Sequence, residues 1–427
     1  MSEVRELITA ARDRVRTTLD HRQPDRIPVD FGGTAVTGMH VSIVAALREH
    51  YALEPRLVKV HEPYQMLGMI DDDLKEALGI DVEGLSGRET MFGFRNDDWR
   101  PWMTPFGLEV LVADQFHTNT DDSGDTYIYP MGNTSVAPSG RMPSSGFFFD
   151  TIIRQEPFDP ARLHPADNLE EYHVVSDAYL DDLATDLSAV ESTGRAVIAT
   201  LPGMALGDIA FVPAPGLERP RGIRDITEWY VSIRKRPDYI RQVFAAQVDV
   251  ALENLARIHR RVGDRFDAVM TCGTDFGTQT GAFCSVDTFQ DLWAPQYRRV
   301  NDWIHDHTTW KTFKHSCGSV ERFMRSFVEC GFDIINPVQC SAANMGAEHL
   351  KREYGRDLVF WGGGVDTQHT LPFGTPGEVR EQVLRRCEVF GAGGGFVFNS
   401  IHNVQAGTPL ENVVAMVDAV HEYNGRG

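Results

Sequence analysis

His315 and Cys317 carry the sharpest chemical signature in this 427-residue chain. They stand in His315-Ser316-Cys317-Gly318, at the end of the apolar run TWKTFKHSCG over 309–318. Residues two apart on an extended backbone point to the same side, so this pair can offer an imidazole nitrogen and a sulfur to one ion. The following glycine lets the chain turn closely beside them. Zinc accepts nitrogen and thiolate donors, and a catalytic zinc takes three protein ligands with a fourth position open. Two residues do not fix a metal, so a third must come from another strand. His402, at the end of the last apolar run, and Cys340, after INPVQ, are the two candidates. The competing reading is a small buried cysteine beside a hydrogen-bonded histidine.

Other apolar runs end in polar residues too. Arg26 to Gly33 ends with Asp30, the run from Asp267 reaches Asp275, and the later runs reach Gln339, Asp366 and His402. One polar residue at a strand end is ordinarily a loop residue or a helix cap, and Asp30 before Phe-Gly-Gly can simply anchor a turn. Six convergent strand ends point instead to a site.

The elements that would position them alternate. Eight short runs rich in Val, Ile and Phe occur at 26–33, 79–85, 195–203, 267–273, 309–318, 332–339, 357–364 and 395–403. Segments of helical periodicity lie between most of them, at 226–261, 286–307, 320–331, 377–390 and 410–423. Buried parallel strands read as continuous apolar runs, and eight such units predict an α/β (β/α)8 TIM barrel, with a doubly wound open sheet as the competitor. In a barrel the site forms at the carboxyl ends of the strands, where the six polar residues fall. From about 99 to 152 the pattern changes to short Tyr, Phe, Val and Thr runs punctuated by Gly, Asp and Pro, which predicts a β-rich insertion, either a lid or partner surface or a structural decoration. Val4, Leu7, Ile8, Ala11, Val15 and Leu19 recur at helical spacing and predict an N-terminal helical extension lying on the body. Residues 1–427 therefore read as one barrel domain carrying its insertion.

Composition excludes several classes of function. Hydrophobic residues make up 42% and charged residues 24%, which suits a globular protein with a large core rather than a disordered or fibrous chain. With 61 acidic against 41 basic residues the formal charge is -20, a field that repels nucleic acid and anionic membrane surfaces. The most apolar window, 196–216, holds Asp208 and three prolines, so no membrane span is expected. Six cysteines at irregular spacing make no disulfide framework and suggest a reducing, cytoplasmic setting.

The stretches PDRIPVDFGG, TCGTDFGTQTG, KHSCGSV, DIINPVQ, LVFWGGGVDTQHTLPFGTP and GGFVFNSIHNVQAGTP, in this order, resemble the uroporphyrinogen decarboxylase superfamily. Within it the chain resembles the corrinoid-linked methyltransferase branch rather than the true decarboxylases. The resemblance implies the same barrel. Members that pass methyl groups between a corrinoid and a thiol such as coenzyme M bind zinc through an HxC pair and a distant cysteine near the chain's end. By that resemblance His315 and Cys317 are the pair, and His402 falls where the last cysteine would. Two histidines and one cysteine carry one negative charge instead of two, leaving Zn2+ more electrophilic. Such an ion could ionise a thiol, or take up the oxygen of a methyl ether or alcohol and help it leave.

The resemblance further implies a small-molecule methyl donor or acceptor and a corrinoid (cobalamin) on a separate protein, because no corrinoid-carrying segment is recognisable here. Family members often pair as homodimers. Asp275 and Asp366 would act in catalysis and Asp30 and Gln339 in substrate binding, with the imidazoles' second N–H groups held by such oxygens. True decarboxylases use no metal and clamp a polycarboxylate with an arginine-rich motif near the amino terminus. Here PVDFGG continues as TAVTGMHVS, with no arginine before Arg48. A metal-free decarboxylase of a smaller acid, with Asp30 or Asp275 stabilising developing positive charge, is the alternative function. A non-catalytic binding barrel is the third.

Overall fold

In the computed structural model, which describes residues 2–425, seven parallel strands follow one another around a curled sheet in sequence order. They are Val82–Ser86, Ala196–Thr200, Ala268–Cys272, Lys311–His315, Ile334–Asn336, Val359–Trp361 and Phe396–Val397. The segment 27–31 fills the eighth position. Val29 bridges Phe398 in parallel, Asp30 N–H donates to Phe398 O at 2.9 Å, and Phe398 N–H donates to Pro28 O at 2.8 Å. On the other side Asp81 N–H donates to Val29 O at 2.8 Å. The sheet thus closes on itself as a TIM barrel, and each of the eight apolar runs supplies one stave. The first stave is reduced to a bridge because Pro28 has no N–H to give the ladder and the chain turns away at Gly32, where φ is 93°.

The barrel interior is one cluster: Val82, Ala196, Ile198, Ala268, Phe313, Ile334, Val359, Trp361 and Val397. Val15 and Leu19 of the N-terminal helix Ser2–Leu19 belong to the same cluster, so that helix caps the amino-terminal end of the barrel. Val4, Leu7 and Ile8 lie outside the residues whose side chains are described.

Charge reinforces this floor. Arg12 Nε and Arg16 Nε donate to Asp267 at 2.9 and 2.6 Å. Arg14 and Arg26 both reach Asp81 Oδ1 at 2.7 Å. The aspartates also bind strand backbone, Asp267 taking Val197 N–H at 2.8 Å, Asp81 taking Val29 N–H at 3.0 Å and Asp333 taking Thr312 N–H at 2.8 Å. Each therefore fastens the start of one strand to its neighbour, and two of them fasten the helix as well.

The helices cover the outside. Two expected long ones are each broken in two, Ile226–Lys235 from Pro237–Val262 and Val286–Leu292 from Ala294–His307. Proline at the first or second position of each second helix explains the break, since it has no N–H for the preceding turn. The region 99–152 is the expected β insertion: a hairpin of Arg100–Met103 with Glu109–Val112, and a four-stranded antiparallel sheet running from Thr118–Thr120 to Asp150–Thr151. It leaves the barrel after Val82–Ser86, on the carboxyl side, and returns to the mouth where His40 Nε2 meets Phe147 O at 2.9 Å. Among the described residues no helix is long and apolar enough to cross a membrane.

The floor gives a stability prediction. Asp81 is 1% exposed and holds Arg14, Arg26 and the Val29 N–H, so Asp81→Ala removes a buried acceptor shared by all three, with Arg14 keeping Asp25 at 2.7 Å. The expected loss is about 1–3 kcal/mol of unfolding free energy, read from denaturant midpoints at constant slope.

Candidate metal centre at the barrel mouth

Alternation along Lys311–His315 decides what reaches the mouth. Phe313 lies in the barrel interior, so His315 points inward and upward while Thr312 and Lys314 face the helices. Gly318 then turns the chain with φ 88°, packed so closely on Gly277 that no Cβ would fit. The turn brings Cys317 back over His315, with Sγ 3.4 Å from Nε2. From across the mouth, the loop after the last strand delivers His402, whose ring centre is 5.5 Å from that of His315. One ligand atom each from His315, Cys317 and His402 lie within 4.8 Å of one another.

The protonation of His315 is set from behind. Asn336, at the end of the neighbouring strand, donates Nδ2 to Trp361 O at 3.0 Å, which leaves its Oδ1 as the acceptor facing His315 Nδ1 at 2.6 Å. The proton is therefore on Nδ1, and Nε2 keeps a free lone pair toward Cys317. His402 is held less firmly: its Nδ1 accepts Asn403 N–H at 2.8 Å, so taking up an ion involves a ring rotation or a change of tautomer. Burial pushes both imidazoles down to about 4, helped at His402 by His315, so both are neutral at pH 7. Burial, followed by Asp275 and Asp208, raises the Cys317 thiol well above its ordinary range. A bound cation reverses that balance. Two neutral nitrogens and a sulfur beside a carboxylate fit Zn2+ in donor type and number.

Asp275 is the carboxylate. Its Oδ1 accepts Cys317 N–H at 2.7 Å and lies 3.8 Å from His315 Nε2. Gln339 Oε1 accepts Gly318 N–H at 2.7 Å, fixing the same turn. A cavity of about 200 Å3 opens above, lined by Cys317 and His402, by the amides Gln279, Gln339 and Gln368, and by Thr367. Among the described residues no lysine or arginine lines it.

The structure does not bring the other expected residues to this cavity. Asp366 is turned into its own loop, where its carboxylate takes Gln368 N–H at 2.9 Å and faces His369 Nδ1 at 3.0 Å; its neighbours Thr367 and Gln368 reach the cavity instead. Asp30 is fully buried, bonded to Trp361 Nε1 and Gly33 N–H at 2.8 Å each, and burial raises it to about 6. It joins the first stave to Trp361. Cys340 is not among the clustered ligand atoms, and its thiol is raised to about 11 by burial. Arg48 pairs with Asp73 at 2.8 Å, away from the mouth.

Sequence reasoning missed three participants. Asn336 was signalled as a polar end to an apolar strand. Lys314 was hidden by its neighbour His315: its buried ammonium donates to Thr274 O at 2.7 Å and His315 O at 2.5 Å beneath the Phe276 ring, tying the Asp275 and His315 strand ends together. Asp208 stood in the most apolar window as an isolated acid, a signal in itself.

Comparisons with known proteins agree with this architecture. Residues 220–423 match the family model described as Uroporphyrinogen decarboxylase (URO-D). The chain is similar over shorter stretches to uroporphyrinogen decarboxylase from Janthinobacterium sp. (strain Marseille), 45% identical over 84 residues, 19% of this chain and 22% of that protein. The enzyme of that name from Pseudoalteromonas translucida is 36% identical over 76 residues, 18% and 21% of the two chains. These matches span about a fifth of the relatives' length. A solved methyltransferase from Methanosarcina mazei superposes with a TM-score of 0.54 over 97% of this chain and 98% of that one, at 14% identity. At that identity the likeness is one of fold.

Three outcomes test the metal centre. The protein is expected to bind one equivalent of zinc by elemental analysis and calorimetry, falling well below one in His315→Ala or Cys317→Ala. Because the Cys317 thiol is protonated in the ion-free protein, uptake at pH 7 releases a proton and affinity rises with pH. Removing the oxygen that sets the His315 tautomer, with Asn336→Leu, is expected to weaken zinc binding by about 10–100-fold.

Proposed function

We propose, from the match of residues 220–423 to the uroporphyrinogen decarboxylase family model, that the protein is a zinc-dependent methyltransferase. It moves a methyl group between a small methylated substrate or thiol and a separate corrinoid protein. The observation that carries this reading is the convergence of His315, Cys317 and His402 at the barrel mouth, their ligand atoms within 4.8 Å. Bound there, zinc supplies Lewis acidity toward the oxygen or sulfur from which the methyl group leaves or to which it is delivered.

The chain's own residues do the positioning. Asn336 keeps His315 Nε2 free for the ion. Asp275 and Gln339 hold the backbone N–H groups of Cys317 and Gly318, so the thiol cannot swing away. The Gln279, Gln339 and Gln368 amides over the cavity suit an uncharged, hydrogen-bonding substrate, and the lining offers no cation to clamp a carboxylate. That lining disfavours a polycarboxylate even though the relatives are named decarboxylases. The bound methyl group has to be reached in line by the partner's corrinoid, so the partner docks over the open mouth.

The test is transfer itself. Zinc-loaded protein incubated with a reduced or methylated corrinoid protein and a panel of methyl ethers, alcohols and thiols is expected to change the corrinoid spectrum with at least one of them. His315→Ala is expected to abolish that change. Release of carbon dioxide from a small acid, by metal-free protein without corrinoid, would instead establish the decarboxylase reading.

A further inference from the structure

The three amides over the cavity form a chain whose sense one backbone group decides. Gly318 N–H can only donate, so the Gln339 amide turns its oxygen to it, at 2.7 Å, and its nitrogen the other way. That nitrogen can only donate in its turn, and it meets Gln368 Oε1 at 3.5 Å. Gln279 Nε2 donates to the same oxygen at 2.7 Å from a loop 89 residues earlier in the chain. The opposite sense would set the Gln368 nitrogen against that of Gln339. Buried Gln339 thus imposes its polarity on two exposed amides at the rim. The open ends are Gln368 Nε2, with two N–H groups to donate, and Gln279 Oε1, an acceptor, and neither has a partner among the described residues.

The loops that carry these ends are themselves fixed. Gln279 follows Ala268–Cys272, and its carbonyl accepts Ala343 N–H at 2.9 Å. Gln368 follows Val359–Trp361, where the Asp366 carboxylate takes the Gln368 N–H at 2.9 Å and the Asp366 N–H donates to Gln382 Oε1 at 2.8 Å. Asp366 therefore shapes the loop that presents Gln368. Between them Thr367 adds a hydroxyl to the cavity lining. The lining offers donors from one loop and an acceptor from the other, with no carboxylate and no cation among the described residues. At about 200 Å3 the cavity exceeds the roughly 150 Å3 that holds one benzene ring.

We propose that Gln368 selects the substrate of this cavity: with Thr367 it donates to a carbonyl oxygen, so the molecule bound is uncharged and carries that oxygen apart from its methylated heteroatom. The identification of that molecule as a methyl donor rests on the methyl-transfer reading above. A carbonyl oxygen has two lone pairs, one for each donor. A carboxylate would bring a charge that nothing in the lining compensates, and an ammonium would meet N–H groups at this end instead of oxygens. A methylene in the same place would leave the donors facing hydrocarbon.

Three small methyl ethers read this out by calorimetry and saturation-transfer NMR on zinc-loaded protein without corrinoid. Methoxyacetone carries a carbonyl, methallyl methyl ether has the same shape with a methylene in place of that oxygen, and 2-methoxyethylammonium carries a cation. The parent is expected to bind methoxyacetone about 5–10-fold more tightly than methallyl methyl ether. Gln368→Leu should erase that preference with zinc content unchanged. In Gln368→Glu one carboxylate oxygen still accepts from the two neighbouring glutamines and the other faces the cavity. Methoxyacetone should therefore weaken and 2-methoxyethylammonium bind about 10-fold more tightly than to the parent, a gain that loss of structure does not produce. Equal affinities for the two isosteres, no measurable binding of methoxyacetone, or no reversal in Gln368→Glu, in a protein that transfers a methyl group from some other donor, overturns this inference alone. The expected preferences in a protein that passes no methyl group from any donor to a corrinoid protein overturn the methyl-transfer reading, and Gln368 remains the residue that reads the bound molecule.

Discussion

The pleat of one strand governs both faces of the site. Along Lys311–His315, Phe313 and His315 point into the barrel and Lys314 points out, and no shift of one residue can preserve either side. Inward, the imidazole tops the apolar column of the barrel and meets Cys317. Outward, the ammonium is clamped under Phe276 and Tyr297 and reaches back to the carbonyls on either side of the mouth. The ligand face and the brace behind it are therefore one register, and the positions of Asp275 and Cys317 follow from it.

Rigidity is distributed unevenly along the barrel axis. At the floor, aspartates before three strands bind an N–H near the start of a neighbour, and arginines lock the capping helix to two of them. At the mouth, carbonyls and amides are bonded in shorter local sets, such as the Gln279, Gln368 and Gln339 chain, with 2.7 and 3.5 Å between its members. A firm base and an adaptable rim suit a site that must admit both a substrate and a partner.

Much of this was legible in the sequence because it rests on local pattern. Buried parallel strands announce themselves as apolar runs, and all eight were placed; His315 and Cys317 were identifiable because i and i+2 share a face. The breaks at Pro237 and Pro295 were written in the sequence and outweighed by periodicity. Pairing across the mouth was harder to read. Asp366 and Asp275 look alike as acids ending apolar runs, yet Asp275 meets a backbone N–H from the next strand while Asp366 meets those of its own loop. That difference depends on which way each loop folds back, and no spacing rule encodes it. Asn336 acts through His315 of the neighbouring strand, so its role emerges only when the barrel is closed.

Closure has a temporal side as well. The bonds that shut the barrel join segments far apart along the chain: Asn399 Nδ2 donates to Asp30 O across 369 residues. A chain emerging from the ribosome has the capping helix and 27–31 long before the last stave that pairs with them. Until then strand edges on both sides of the gap are unpaired and apolar. The long loops that must close place this fold among the slow ones, dependent on protection from aggregation while it waits for its final strand.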